Sequence, residues 1–176
     1  MSSNMMIHVG EIQDLFRYPV KSMRGEAIKE AELGWHGLNG DRRFAFRRVN
    51  ERGGFPWLTA SKLPELLLYT PVRLEEGNGL PTHVHTPDGR ELALFGKELA
   101  KEVGSQHGTS VEMTHLNRGI FDEASVSAIT AATVSEMARL SKQRPDVRRF
   151  RPNILISTKQ VRPFEEDYWV GGLLWF

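Results

Sequence analysis

The 176-residue sequence contains no cysteine. That absence excludes disulfides, iron–sulfur clusters, thiolate nucleophiles and thiolate metal ligands supplied by this chain. No apolar run approaches the roughly 18 to 20 residues that a membrane-spanning helix needs. Residues Met1 to His8 show no charged stretch followed by an apolar one, so a secretory signal is not expected. A surplus of one charge is also missing. Against 23 Lys and Arg stand 22 Asp and Glu, and a net charge of +1 gives no global field for nucleic acid or an anionic membrane. These absences together point to a cytoplasmic protein without nucleic-acid or membrane partners.

Familiar catalytic signatures are lacking too. There is no P-loop, no Gly-x-Ser-x-Gly elbow, no dinucleotide fingerprint and no His-Glu-x-x-His. His83 and His85 would share one face of a strand, a spacing that permits chelation, yet no third ligand accompanies them. Three adjacent acids, Glu165, Glu166 and Asp167, diverge rather than converge and read as a polar turn instead of a magnesium or calcium site. No metal ligand and no catalytic residue is therefore assigned.

What is present is ordinary globular material. A hydrophobic fraction of 40% with 26% charged residues argues against disorder as the main state. Up to Leu116 the pattern is of short strands punctuated by Gly, Pro, Asn and Asp. Strands are expected over 7–20, 27–33, 43–47, 55–59, 82–86, 91–95 and 110–116, with an extended segment over 65–75. The Pro71 in that segment suggests an edge or a bulge. Pro87-Asp88-Gly89-Arg90 predicts a hairpin, because proline presets φ and glycine supplies a positive one. A short helix is expected over 96–104. After Asn117 come a buried strand over 126–129, Thr130 as helix N-cap, and a helix over 131–141 stopped by Pro145. A core strand over 153–157 and the start of another over 167–176 complete the reading. The fold class is mainly β (α+β), with boundaries expected at 7–116 and 117–176.

Three basic segments could hold an anion. Tyr18-Pro19-Val20-Lys21-Ser22 places an ammonium and a hydroxyl just past a strand, a pair suited to a phosphate oxygen. Taken alone, such a pair after a strand is more often a solvated loop. Gly37-Leu38-Asn39-Gly40-Asp41-Arg42-Arg43-Phe44 combines turn glycines with an acid able to orient a guanidinium by a bidentate contact, although such a stretch is more often an ordinary loop feeding a strand with one exposed ion pair. Arg148-Arg149-Phe150-Arg151-Pro152-Asn153 enters a buried strand and could form an anion-binding rim, although basic runs are more often solvated faces.

In order along the chain, six short stretches resemble the MOSC superfamily (molybdenum cofactor sulfurase C-terminal domain) with its N-terminal β-barrel region. Within it, the sequence is similar to the group of the mitochondrial amidoxime-reducing component and its bacterial relatives. The stretches are Tyr18 to Ser22, Gly40 to Phe44, Thr59-Ala60 before Leu63-Pro64, Val126 to Thr130, Phe150 to Ile154 and Glu166 to Trp169. The resemblance implies a barrel-like N-terminal part beside a second, partial MOSC β-barrel with a few short helices. It implies molybdenum cofactor (molybdopterin) as ligand, with Lys21 and Ser22 on its phosphate, Arg42 on phosphate or pterin, and Arg151 and Asn153 on the same cofactor. Reduction of N-oxygenated compounds or sulfur transfer is the implied activity, and an electron-transfer protein the implied partner.

One departure bears on that activity. Relatives carry an Arg-Cys pair a few tens of residues beyond the Glu-Asp-x-Trp stretch, and its thiolate serves molybdenum or sulfur. This sequence ends on Leu173-Leu174-Trp175-Phe176, which reads as a C-terminal truncation. Two further readings stand beside this one. A non-enzymatic binder of a phosphorylated heterocycle such as pyridoxal phosphate would use Lys21 for a Schiff base. A structural fragment would instead form oligomers through the apolar strand expected over 169–176.

Overall fold

The computed structural model describes residues 6–74 and 79–175. Its strands are β1 (Gly10–Arg17), β2 (Glu26–Ile28), β3 (Leu33–Gly34), β4 (Gly37–Leu38), β5 (Phe44–Arg48), β6 (Thr70–Val72), β7 (His83–His85), β8 (Glu91–Ala93), β9 (Val111–His115), β10 (Ala128–Thr130) and β11 (Ile154–Thr158). Two α-helices, α1 (Lys97–His107) and α2 (Ala131–Leu140), accompany them. The fold is thus mainly β with a minor helical part. Among the described residues no helix is long and apolar enough to cross a membrane.

The chain forms two compact units. One comprises Arg17–Ala27 and Ala31–Ser125. Here β5 pairs antiparallel with β9, and β6-β7-β8 form a three-stranded antiparallel sheet. These sheets stay separate and do not close into a barrel among the described residues. The Pro87 to Arg90 turn joins β7 to β8 as expected, with Gly89 at φ +87°. Pro71 lies in β6, an edge strand, where its missing N–H costs no ladder bond. A buried cluster that includes Phe44, Phe46, Leu66, Tyr69, Leu99 and Val103 fills the unit. Each such side chain contributes about 1.5–3 kcal/mol on leaving water.

The other unit holds the chain up to Phe16, Ile28–Glu30 and the residues from Val126 onward. In it β1 pairs antiparallel with β11, and β10 pairs parallel with β11. A register shift between Ile12 and Asp14 bends β1. Helix α2 follows β10 directly, with Thr130 as its N-cap accepting from the Thr133 N–H. Ile129, Val134 and Leu155 form the small core, with Phe16, Ala131 and Val147 packed against it.

The extended reading of 65–75 is corrected: Pro64–Leu68 is a 3₁₀ turn, and the strand begins only at Thr70. Proline at the first helical position presets φ, and Leu66 drops into the core. Glu75 lies outside the described residues. Over 27–33 two short strands replace one, and over 55–59 pairing is reduced to a bridge between Arg47 and Trp57. The strand expected from Asp167 onward is a 3₁₀ turn over Glu165–Trp169, with no strand after it among the described residues. Phe164 enters that turn at φ +60°, and Glu166 bonds back onto α2, so backbone and side chain both turn away from an extended path.

Candidate functional site

Two segments well separated in sequence are joined by backbone hydrogen bonds. The Arg42 N–H donates to the Tyr18 carbonyl (2.8 Å), the Phe44 N–H to that of Pro19 (3.0 Å), and the Lys21 N–H to that of Phe44 (2.7 Å). The buried carboxylate of Asp41 adds a fourth tie, with Oδ1 accepting from the Tyr18 N–H at 2.7 Å. Its other oxygen, Oδ2, accepts from Arg42 Nη1. Asp41 therefore divides its two oxygens between backbone and guanidinium, rather than gripping the guanidinium with both. The third stretch joins as well, because the Ala60 N–H donates to Ser22 Oγ at 3.0 Å.

Lys21 is buried at the end of this turn. Its Nζ donates to Asp122 Oδ1 at 2.9 Å and to the Ile120 carbonyl at 3.2 Å, and it stands 5.5 Å from the centre of the Phe55 ring. Ser22 is half-buried, and a hydroxyl that accepts from Ala60 keeps its proton to donate. The Arg42 guanidinium lies 5.1 Å from the Tyr18 ring and 5.9 Å from that of Phe121. Such aromatic faces hold a cation without consuming its N–H donors.

The backbone here is unusual. Ser22 (φ +67°) and Arg42 (φ +47°) are two of five described non-glycine residues in the left-handed region; Arg151 (φ +52°), in the other unit, is a third. Holding such a residue costs about 1–3 kcal/mol, and such positions cluster at functional sites. Gly40, at φ +82°, adds a conformation suited to glycine, and a Cβ there would sit 2.9 Å from Arg17 Nη1.

In the unit containing β10 and β11, the remaining three stretches also meet. Asn153 is fully buried; its Oδ1 accepts from the Ser127 N–H (3.1 Å) and its Nδ2 donates to the Phe16 carbonyl (3.3 Å). Arg151 is half-buried two residues earlier. Arg148 is tied to Asp146 at 2.8 Å, which moderates the basic run. Glu166 receives the Thr130 N–H on Oε1 (3.1 Å), and the Thr130 and Thr133 hydroxyls on Oε2 (3.0 and 2.9 Å).

Outside these groups, His83 contacts the Thr82 hydroxyl and His85 pairs with Glu91, so the two histidines have separate partners. Among the described residues no group of three or more His, Asp or Glu converges as a metal site. An open depression of about 530 Å³ lies along α1 and the turn after it, lined by Lys101, Ser105, Gly108 and Thr109 among others, and its lining includes neither Lys21 nor Arg42. Sequence reasoning missed Asp122 and Phe121. Neither stands in a recognisable motif, and only the composition change after Asn117 marked their neighbourhood.

The sequence matches the family described as the MOSC N-terminal beta barrel domain over residues 9–131. The chain belongs to that family. The match takes in the Lys21–Ser22 and Asp41–Arg42 turns, and MOSC N-terminal domains are linked to molybdenum-cofactor binding. Against curated proteins the sequence finds no match.

Proposed function

We propose that Lys21, Ser22 and Arg42 hold the terminal phosphate of molybdenum cofactor. The observation that carries this is the hydrogen-bonded pairing of the Tyr18–Ser22 and Asp41–Phe44 turns, which sets a buried ammonium, a hydroxyl and an aromatic-flanked guanidinium on one scaffold. Their chemistry fits a phosphate monoester: fixed cationic donors for a dianion, and a neutral donor for its third oxygen. It does not fit the metal end. With no cysteine in the chain, these residues offer no soft ligand to molybdenum.

When bound, the cofactor would supply reductive or sulfur-transfer chemistry, while this chain's residues bind and orient it. A cytoplasmic setting and an electron-transfer protein as partner belong to the same reading. Purified protein from molybdenum-replete cells is expected to carry pterin, detected by fluorescence after oxidation. Lys21→Ala and Arg42→Ala should each weaken phosphate-monoester binding by about tenfold or more, as expected when a charge-assisted bond is lost. Unchanged affinity in both variants would rule the assignment out. Pyridoxal phosphate shares the phosphate end but would add a visible absorption band that disappears in Lys21→Ala.

A further inference from the structure

Residues 120–122 run across both cations. The Ile120 N–H donates to the Arg42 carbonyl at 2.8 Å, and the Ile120 carbonyl accepts from Lys21 Nζ. Phe121 faces the Arg42 guanidinium, and Asp122 supplies the carboxylate on Lys21. The two ends of that ion pair differ sharply in environment. The Lys21 side chain is 4% exposed, whereas that of Asp122 is 70% exposed. An ammonium so far from water needs an anion beside it. A carboxylate already mostly in water loses little by swinging away.

We propose that Asp122 is a resident counter-ion, occupying the phosphate position on Lys21 until the ligand displaces it. The proposal rests on the phosphate-binding reading above and adds a built-in competitor to it. The moving part is a single side chain, because Ile120 is anchored through its backbone to Arg42. Apparent affinity for any anion is then lowered by the fraction of molecules in which Asp122 holds Lys21. A monoanionic carboxylate ligand only equals Asp122 in charge. A phosphate monoester brings a second charge and further oxygens for Ser22 and Arg42, so the competitor selects for dianions.

Calorimetric titration of phenyl phosphate into the full chain near neutral pH tests this in wild type, Asp122→Asn and Lys21→Ala. Asp122→Asn is expected to bind about tenfold tighter than wild type, the scale of one charge-assisted hydrogen bond released for the ligand. Lys21→Ala should bind more weakly than wild type. If Lys21→Ala is weakened while Asp122→Asn matches or falls below wild type, the counter-ion role is overturned and the phosphate cradle stands. If none of the three proteins binds, the cradle falls and the counter-ion role with it. Melting supplies a second readout. Without ligand, Asp122→Asn should melt below wild type, and phenyl phosphate should raise its Tm by more; equal rises overturn the proposal.

Discussion

Tyr69 shows how one buried polar group is made safe. Its ring sits in the core with no exposure, while its hydroxyl donates to Glu102 at 2.6 Å and accepts from Gln106 at 3.0 Å. Burial and the neighbouring Glu102 carboxylate push the phenol up to about 12 from an ordinary value of 10.0. Because the folded value is raised, the stabilisation is complete below about pH 10 and disappears as pH climbs through about 12. Tyr69→Phe is expected to cost about 1 kcal/mol near neutral pH, the usual worth of a satisfied hydrogen bond. It should also remove this alkaline component of unfolding. Denaturant melts of both proteins across the alkaline range check the sign: a wild-type curve parallel to that of the variant would contradict it.

Helix α2 shows what an element needs at its start. Four N–H groups at a helix N-terminus have no partner within the helix. Thr130 satisfies one of them from its side chain, and Glu166 then secures Thr130 itself along with the Thr133 hydroxyl. The Phe164 N–H donates to Thr133 Oγ1 at 2.8 Å, so the 3₁₀ turn and the helix start share one hydrogen-bonded knot. Glu166→Ala strands the buried Thr130 N–H and is expected to cost about 1–3 kcal/mol. Glu166→Gln keeps an acceptor and should cost less. Chemical denaturation ranks the two, and equal losses would show that the carboxylate's geometry is not what matters. The acids at 165–167 could be read in sequence as polar turn residues, and they do form a turn. That one of them braces a helix 33 to 36 residues earlier could not be read, because the partner threonines carry no mark of it.

Across the whole molecule, the two units have cores of unequal size. Among the described residues a large apolar cluster supports β5 and β9, whereas the buried cluster beside β10 and β11 is the smaller set Ile129, Val134 and Leu155. Local stability follows buried apolar contact, so amides of 154–158 should exchange with solvent faster than those of 44–48. Hydrogen-exchange mass spectrometry on peptides covering both strands measures this, and the reverse order would refute it.

The six stretches that resemble MOSC proteins divide between these units, three in each. Their order and residue types were legible in the sequence because turns, caps and short strands are local: Pro19, Gly40 and Thr130 act within a few residues of themselves. The absence of cysteine likewise settled, from composition alone, that no thiolate of this chain meets a metal. The tertiary structure decided what these segments do to one another. Backbone bonds set Lys21 and Ser22 beside Arg42, and the left-handed conformations at Ser22 and Arg42 are stabilised by surroundings no propensity scale contains. Asp122 reaches Lys21 across 101 residues. Only the folded backbone could make a buried lysine and an exposed aspartate partners, since burial is a property of packing rather than of residue type.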